Sequence, residues 1–177
     1  MPRPPSRVAS RTVASYRHLA LHEHDLVYDG EATVFSAQTL SLKDWVVAAA
    51  TTPEGDFILV EQHRHGVDAA TLEPAGGIQD EGESAEAAAR RELLEETGHR
   101  ATTAVALGWV HPNPALSSNK AHLFFFPGAR AERAPEQPID ERTRVVLAPP
   151  EQLARMLEDG RISHALGVLA LTRALAR

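Results

Sequence analysis

Not one of the 177 residues is cysteine, which excludes a disulfide framework, a thiolate nucleophile and a zinc site of the Cys type. Aromatic residues are scarce, with two Trp, two Tyr and five Phe. No basic-aromatic surface for nucleic acid can be read among them. The formal net charge of −6 likewise argues against general affinity for a phosphate backbone. No apolar run approaches membrane-span length, and the basic opening MPRPPSRVASRT lacks the apolar core of a secretory signal. The expectation is a soluble, cytoplasmic protein with neither a membrane nor a nucleic-acid partner. The length suits one domain with a real core.

What the chain does have is an acidic stretch, GIQDEGESAEAAARRELLEETGH, from Gly77 to His99. Ser84 can cap a helix whose alanine-rich interior favours that state, and Gly98 suits its left-handed end. Glu92 and Glu96 are four apart and Glu95 lies three beyond Glu92, so the three carboxylates span roughly 100° of one helical face. Ala85, Ala88 and Ala89 share that arc and leave it low, with Leu94 and Ala87 on the opposite flank. Acidic runs are usually solvated faces. Here the clustering instead suits a hard cation such as Mg²⁺, which takes oxygen ligands and shares substrate phosphates.

Gly77, Glu83, Arg91, Glu92, Leu93, Glu95, Glu96 and Gly98 stand at the spacing of a known signature. The stretch resembles the box of the Nudix hydrolases: Gly, five residues, Glu, seven residues, Arg-Glu-apolar-any-Glu-Glu-any-Gly. His99 departs from it, standing where an aliphatic residue is usual. Seven fixed identities give a chance match on the order of 10⁻⁸ per start position at average residue usage. The resemblance implies an α/β fold, the Nudix α/β/α sandwich with a mixed sheet. Residues 1–12, rich in Pro, Arg and Ser, read as a loose tail, and residues 13–177 as one domain. The resemblance implies that its N-terminal strands at 13–42 help form a homodimer. It implies metal held by Glu92, Glu95, Glu96 and the carbonyl of Gly76, with Mg²⁺ as cofactor and Mn²⁺ as substitute. Gly77, Glu83, Arg91 and Gly98 would support the site, Glu83 and Arg91 as a pair tying loop to helix.

Two further segments narrow the resemblance to the branch that cleaves ADP-ribose and nucleotide sugars. Gln62-His63-Arg64 followed by Leu72-Glu73-Pro74-Ala75-Gly76 is similar to its approach to the box, with His63 replacing an aromatic residue and Glu73-Pro74 shifted. Pro114, 15 residues past His99, stands where that branch carries a proline, in Asn-Pro-Ala rather than Ser-Pro-Gly. Arg64, Glu73 and Pro114 are therefore candidate substrate contacts, and Arg64 suits an outer phosphate. Glu141, closing a polar segment at 129–142 expected to be a mobile loop, is the candidate for a further catalytic carboxylate beside Glu92, Glu95 and Glu96. The implied reaction is metal-dependent hydrolysis of a nucleoside diphosphate sugar, ADP-ribose first, to a nucleoside monophosphate and a sugar phosphate. Other nucleotide sugars, nucleoside triphosphates and dinucleoside polyphosphates are alternative substrates. A nucleotide-sensing regulator without turnover is the alternative of another class.

Elsewhere the chain reads as strands over 16–42, a hairpin closed by Pro53-Glu54-Gly55-Asp56, and strands at 101–111, 121–128 and 143–147. Closing helices follow at 150–158 and 164–175, the second with Ser163 as N-cap. His18, His22 and His24 invite a zinc reading, but they alternate along one strand face and no fourth ligand is evident.

Overall fold

Strand pairing begins earlier than the Pro- and Arg-rich start of the chain suggests. In the computed structural model, which describes residues 3–136, 138 and 142–177, β1 (Ser6–Ser15), β2 (Leu19–Val27) and β3 (Phe35–Leu42) form an antiparallel sheet in that order. The expected loose tail is thus corrected from Ser6 onward. The β1 side chains are almost all exposed, but the backbone is paired from Ser6 opposite Val27 to Ser15 opposite Ala20. Composition missed it because the stabilising partners lie on the next strand, as with Arg11 beside Glu23 and Asp25. Together with His111–Lys120, the chain up to Lys43 makes one of two compact units. Leu40 N donates to Leu116 O at 2.7 Å, and Asn119 Nδ2 to Lys43 O at 3.2 Å.

The second unit, Asp44–Val110 and Ala121–Arg177, opens with two apolar strands, β4 (Trp45–Thr51) and β5 (Phe57–Arg64). Their turn is the expected one: Gly55 takes φ 98° and Thr52 N donates to Asp56 O at 2.8 Å, a conformation that favours glycine. β6 (Ala69–Glu73) then pairs with β5 and, after Pro74, β7 (Ala75–Ile78) pairs with β4. Proline has no N–H to give a ladder, so the chain changes partner strand at that residue. Next come α1 (Ala85–Thr97), the short β8 (His99–Arg100), β9 (Val105–Val110), β10 (Ala121–Phe126), β11 (Arg130–Ala131) and β12 (Thr143–Ala148). The chain closes with α2 (Pro150–Glu158) and α3 (Ala165–Leu175).

The main sheet runs β12-β5-β4-β10-β9, with β4 and β10 parallel and its other neighbours antiparallel. Alternation along each strand divides its side chains between two cores. Val46, Ala48, Ala50, Ile58, Phe124 and Phe126 pack with Ala88, Ala89 and Leu93 of α1. Val47, Ala49, Leu59 and Leu123 pack with Leu153 and Met156 of α2 and Leu166, Ala170 and Leu171 of α3. A mixed sheet between α1 on one face and α2 and α3 on the other is the expected α/β/α arrangement.

Three local expectations are corrected. The buried face of α1 carries Ala88, Ala89, Leu93, Glu96 and Thr97, whereas Ala87 is exposed and Leu94 half-buried. The alanines beside the glutamates are packing surface, and small side chains let the helix approach β4 and β7. The described start of the segment at 129–142 is tied to the end of α1. Glu132 N donates to Gly98 O at 2.8 Å and Glu136 N to Glu95 O at 2.7 Å. Finally, α3 is capped at His164 rather than Ser163, without a side-chain cap hydrogen bond. The His164 side chain is engaged elsewhere.

Candidate active site

α1 begins and ends where its sequence dictates. Ser84, in extended conformation, accepts from Ala87 N, and Gly98 takes φ 72° with its N–H on Leu94 O. These caps fix which turns project Arg91, Glu92, Glu95 and Glu96. Arg91 is the hub. Its Nε and Nη2 donate to the two Glu83 oxygens at 3.2 and 3.1 Å, and Nη2 also to Ile78 O at 3.1 Å. Its Nη1 is shared by Glu92 at 2.7 Å and Glu95 at 3.1 Å. Hydrogen bonds to Glu83 above all, and then to Glu92 and Glu95, raise the Arg91 pKa against partial burial. The same contact with Arg91 holds the Glu83 carboxyl below its ordinary range. Gln79 Nε2 closes the loop on Glu83 O at 2.5 Å.

The three glutamates do not occupy equivalent settings. Glu96 is 5% exposed, and its Oε2 accepts from Gly76 N at 3.0 Å, linking α1 to β7. Glu92 lies over Gly77, where an added Cβ would come within 2.5–2.8 Å of its carboxylate atoms. Glu95 is the more open of the pair on Arg91, at 34% side-chain exposure against 13% for Glu92. Among the described residues no three acidic or histidine side chains converge tightly enough to enclose an ion. Arg91 Nη1 instead stands between Glu92 and Glu95. One guanidinium thus donates to the three carboxylates of Glu83, Glu92 and Glu95, while Glu96 is held by the Gly76 backbone. An all-oxygen donor set with space over a glycine fits a hard cation that completes its shell with water and phosphate.

Gly76, just before the box, and Gly77, its first residue, make opposite predictions. At Gly76 a Cβ would sit 2.4 Å from the backbone oxygen of Val46, so Gly76→Ala must part β7 from β4. We expect a loss of about 3 kcal/mol, the upper end of overpacking costs. At Gly77 the obstacle is the end of a flexible side chain. Gly77→Ala should cost only about 1 kcal/mol, the scale of one displaced rotamer, yet lower kcat about 10²-fold by moving Glu92. Urea denaturation and turnover measured on both variants separate the two effects; equal losses of stability would contradict the distinction.

Beyond the box, Arg64 and Glu73 meet directly. Arg64 Nε and Nη2 grip the Glu73 carboxylate at 2.8 and 2.9 Å. Thr71 Oγ1 lies 2.6 Å from Glu73 Oε1, and His164 Nδ1 lies 2.7 Å from Oε2. Glu73 is 1% exposed, while the Arg64 side chain is 41% exposed. Burial alone would raise the Glu73 pKa, but hydrogen bonds from His164, Arg64 and Thr71 outweigh it and hold the carboxyl well below its usual range. Glu73 is therefore a buried anchor joining β6, β5 and the start of α3. His164 was missed from sequence because only the fold brings it to Glu73. For Thr71, the Thr71-x-Glu73 spacing on one strand was the available signal. Pro114 lies in the β1–β3 unit, on the 111–120 segment, and Glu141 lies outside the described residues.

An acidic, arginine-pinned helix entered from a glycine strand, on a mixed sheet between helices, defines a class, and sequence comparison agrees. The NUDIX domain model matches residues 42–167, and the chain belongs to the Nudix family of hydrolases. It is 29% identical over 136 residues to the ADP-ribose pyrophosphatase of Bacillus subtilis (strain 168), covering 73% of this chain and 74% of that protein. It is 33% identical over 132 residues to the ADP-sugar pyrophosphatase of Mus musculus, covering 60% of each. The crystal structure of an ADP compounds hydrolase matches with a TM-score of 0.86 over 98% of this chain and 93% of that one. At 24% identity that likeness is one of fold. The resemblance to the ADP-ribose pyrophosphatase branch is borne out by these relatives. Among the described residues no helix is long and apolar enough to cross a membrane.

Proposed function

We propose that this hydrolase cleaves the diphosphate bond of a nucleoside diphosphate sugar, ADP-ribose foremost, to a nucleoside monophosphate and a sugar phosphate. The observation that carries the reading is the Arg91-centred cluster of Glu83, Glu92, Glu95 and Glu96 beside the Gly76-Gly77 strand. The named relatives support the substrate class.

A diphosphate bridge repels nucleophiles through its own negative charge, so the site must neutralise charge and align a water. Nudix enzymes generally use divalent metals; here Glu92, Glu95, Glu96 and the carbonyl of Gly76 would hold Mg²⁺, or Mn²⁺ in its place. Such an ion neutralises phosphate oxygens and lowers the pKa of water. The chain's own residues do the remainder. Gly77 leaves room for the Glu92 carboxylate, and Gly98 ends the helix so that Glu95 and Glu96 fall in its last turns. Glu83 and Arg91 hold loop and helix together. Arg64, aimed by the buried Glu73, offers its planar cation to the outer phosphate. Pro114 is carried as a substrate contact on the family resemblance. The proton of the attacking water passes to a carboxylate, Glu141 or one of the box glutamates. The strands at 13–42, which expose Val13, Tyr28 and Phe35, suit a homodimer.

Phosphate-product analysis with Mg²⁺ tests the reading across ADP-ribose, other nucleotide sugars, triphosphates and dinucleoside polyphosphates. The expected result is AMP and ribose 5-phosphate, with the highest kcat/KM on ADP-ribose. Release of pyrophosphate from a triphosphate as the preferred reaction would overturn it.

A further inference from the structure

Two rows of alternating hydroxyl and imidazole groups cross the β1–β3 sheet. In one, His24 Nδ1 lies 2.8 Å from Ser10 Oγ and its Nε2 lies 2.7 Å from Thr39 Oγ1. In the next, His22 Nδ1 lies 3.2 Å from Thr12 Oγ1 and its Nε2 lies 2.9 Å from Ser41 Oγ. The register sets them side by side, the ring centroids 6.2 Å apart and nearly parallel at 20°. His24 is 6% exposed. Burial first, then the charges of Arg7 and His22, lower its pKa and favour the neutral ring. A neutral imidazole donates one hydrogen bond and accepts one. One hydroxyl of the row must therefore give its proton to the ring, while the other accepts and keeps its own O–H for a third group. The His24 row is thus built to present a hydroxyl donor.

Both rows open onto a cavity of about 640 Å³ that the His111–Ser118 side of the same unit completes. That size lies within the range of small-molecule sites, about 300–1,000 Å³. Its charge is unusual for this molecule. In a chain with 24 acidic residues and 18 basic ones, no residue lining the cavity is acidic, and Arg7 is among them. Arginines on either side in the sequence are engaged, Arg3 with Asp29 and Arg11 with Glu23 and Asp25. Arg7 forms no ion pair among the described residues. A guanidinium, hydroxyl donors and no competing carboxylate are complementary to a phosphate group, which arginine binds through charge-assisted hydrogen bonds.

We propose that the β1–β3 unit holds an anion site for a phosphate group, formed by Arg7, the Ser10–His24–Thr39 and His22–Ser41 hydroxyls and Ser118. The site is separate in composition from the acidic box. Two sources share this chemistry, a phosphate of the substrate or product and a free phosphate acting as effector.

Calorimetric titration of the full chain with inorganic phosphate, in chelator so that no metal-dependent binding contributes, tests the site. Wild type should bind saturably, Arg7→Ala about tenfold or more weakly for loss of one charge-assisted contact, and Arg7→Lys between the two. Because Arg7 is exposed, its replacement leaves folding intact, which a thermal melt checks. Glu96→Gln should bind phosphate as wild type does. No saturable binding by wild type, equal binding by Arg7→Ala, or loss of binding in Glu96→Gln would each overturn the proposal. Steady-state kinetics then assign the source, an arm that rests on the hydrolase reading as the titration does not. A raised KM for ADP-ribose at unchanged kcat in Arg7→Ala makes the phosphate the substrate's. An unchanged KM alongside lost phosphate binding makes it an effector's.

Discussion

Glu96→Gln is expected to lower kcat on ADP-ribose by about 10³-fold, within the range that a lost acid-base or charge contribution commands, while the fold stays as it is. Glu96 is almost fully buried and accepts from Gly76 N at 3.0 Å. Glutamine has the same shape and its amide oxygen can keep that hydrogen bond, so β7 and α1 remain docked. Only the charge goes. If Glu96 were no more than a strut between strand and helix, its isosteric replacement would leave turnover near wild type. Stopped assays and a thermal melt on the same preparation decide between the two. Loss of stability in parallel with activity would point to the strut.

Arg64→Ala is expected to cost about 3 kcal/mol in stability, the low end of the cost of breaking a buried pair. The buried Glu73 carboxylate keeps its contacts with His164 and Thr71 but loses its bidentate cation. The carboxylate left behind, Glu73, is 1% exposed and cannot turn to water. The converse change leaves Arg64, which is partly solvated, so Glu73→Gln should cost less. The pH dependence has a definite sign. Glu73 has a folded pKa below its unfolded value, so its stabilisation is fully present above the unfolded carboxyl value of about 4.3. It is lost progressively as pH falls below that value towards the folded pKa. Without Arg64 the folded pKa moves up towards the unfolded one, so the acid loss still begins near the unfolded value but ends at higher pH and is smaller in total. Melting temperatures recorded from neutral pH downward test this. An acid limb that coincides with wild type would show that Arg64 does not hold Glu73.

The parts of this molecule legible in its sequence are those fixed by neighbours along the chain. Ser84 and Gly98 bracket α1 because caps are local. Gly55 closes the β4–β5 turn because a left-handed residue is needed there. The spacing of Glu83, Arg91, Glu92, Glu95 and Glu96 gave the box and, through family resemblance, the fold. What escaped was fixed across the chain. β1 looked like a tail since its ion-pair partners sit on β2. The β6–β7 change of partner depends on which strands stand beside Pro74. His164 looked like a helix boundary, and only the docking of α3 shows it bound to Glu73. Likewise Arg64 and Glu73 were separate expectations from sequence, and the structure joins them as one unit.

Electron paramagnetic resonance of Mn²⁺ added to wild type and to Glu96→Gln tests most directly the claim that the α1 carboxylates form a divalent cation site. The account predicts saturable binding by wild type, displaced by Mg²⁺, and at least about tenfold weaker binding in the variant, the scale of losing one ligand or its support. Equal Mn²⁺ affinity in the two proteins, or no binding by wild type in the presence of ADP-ribose, would contradict it.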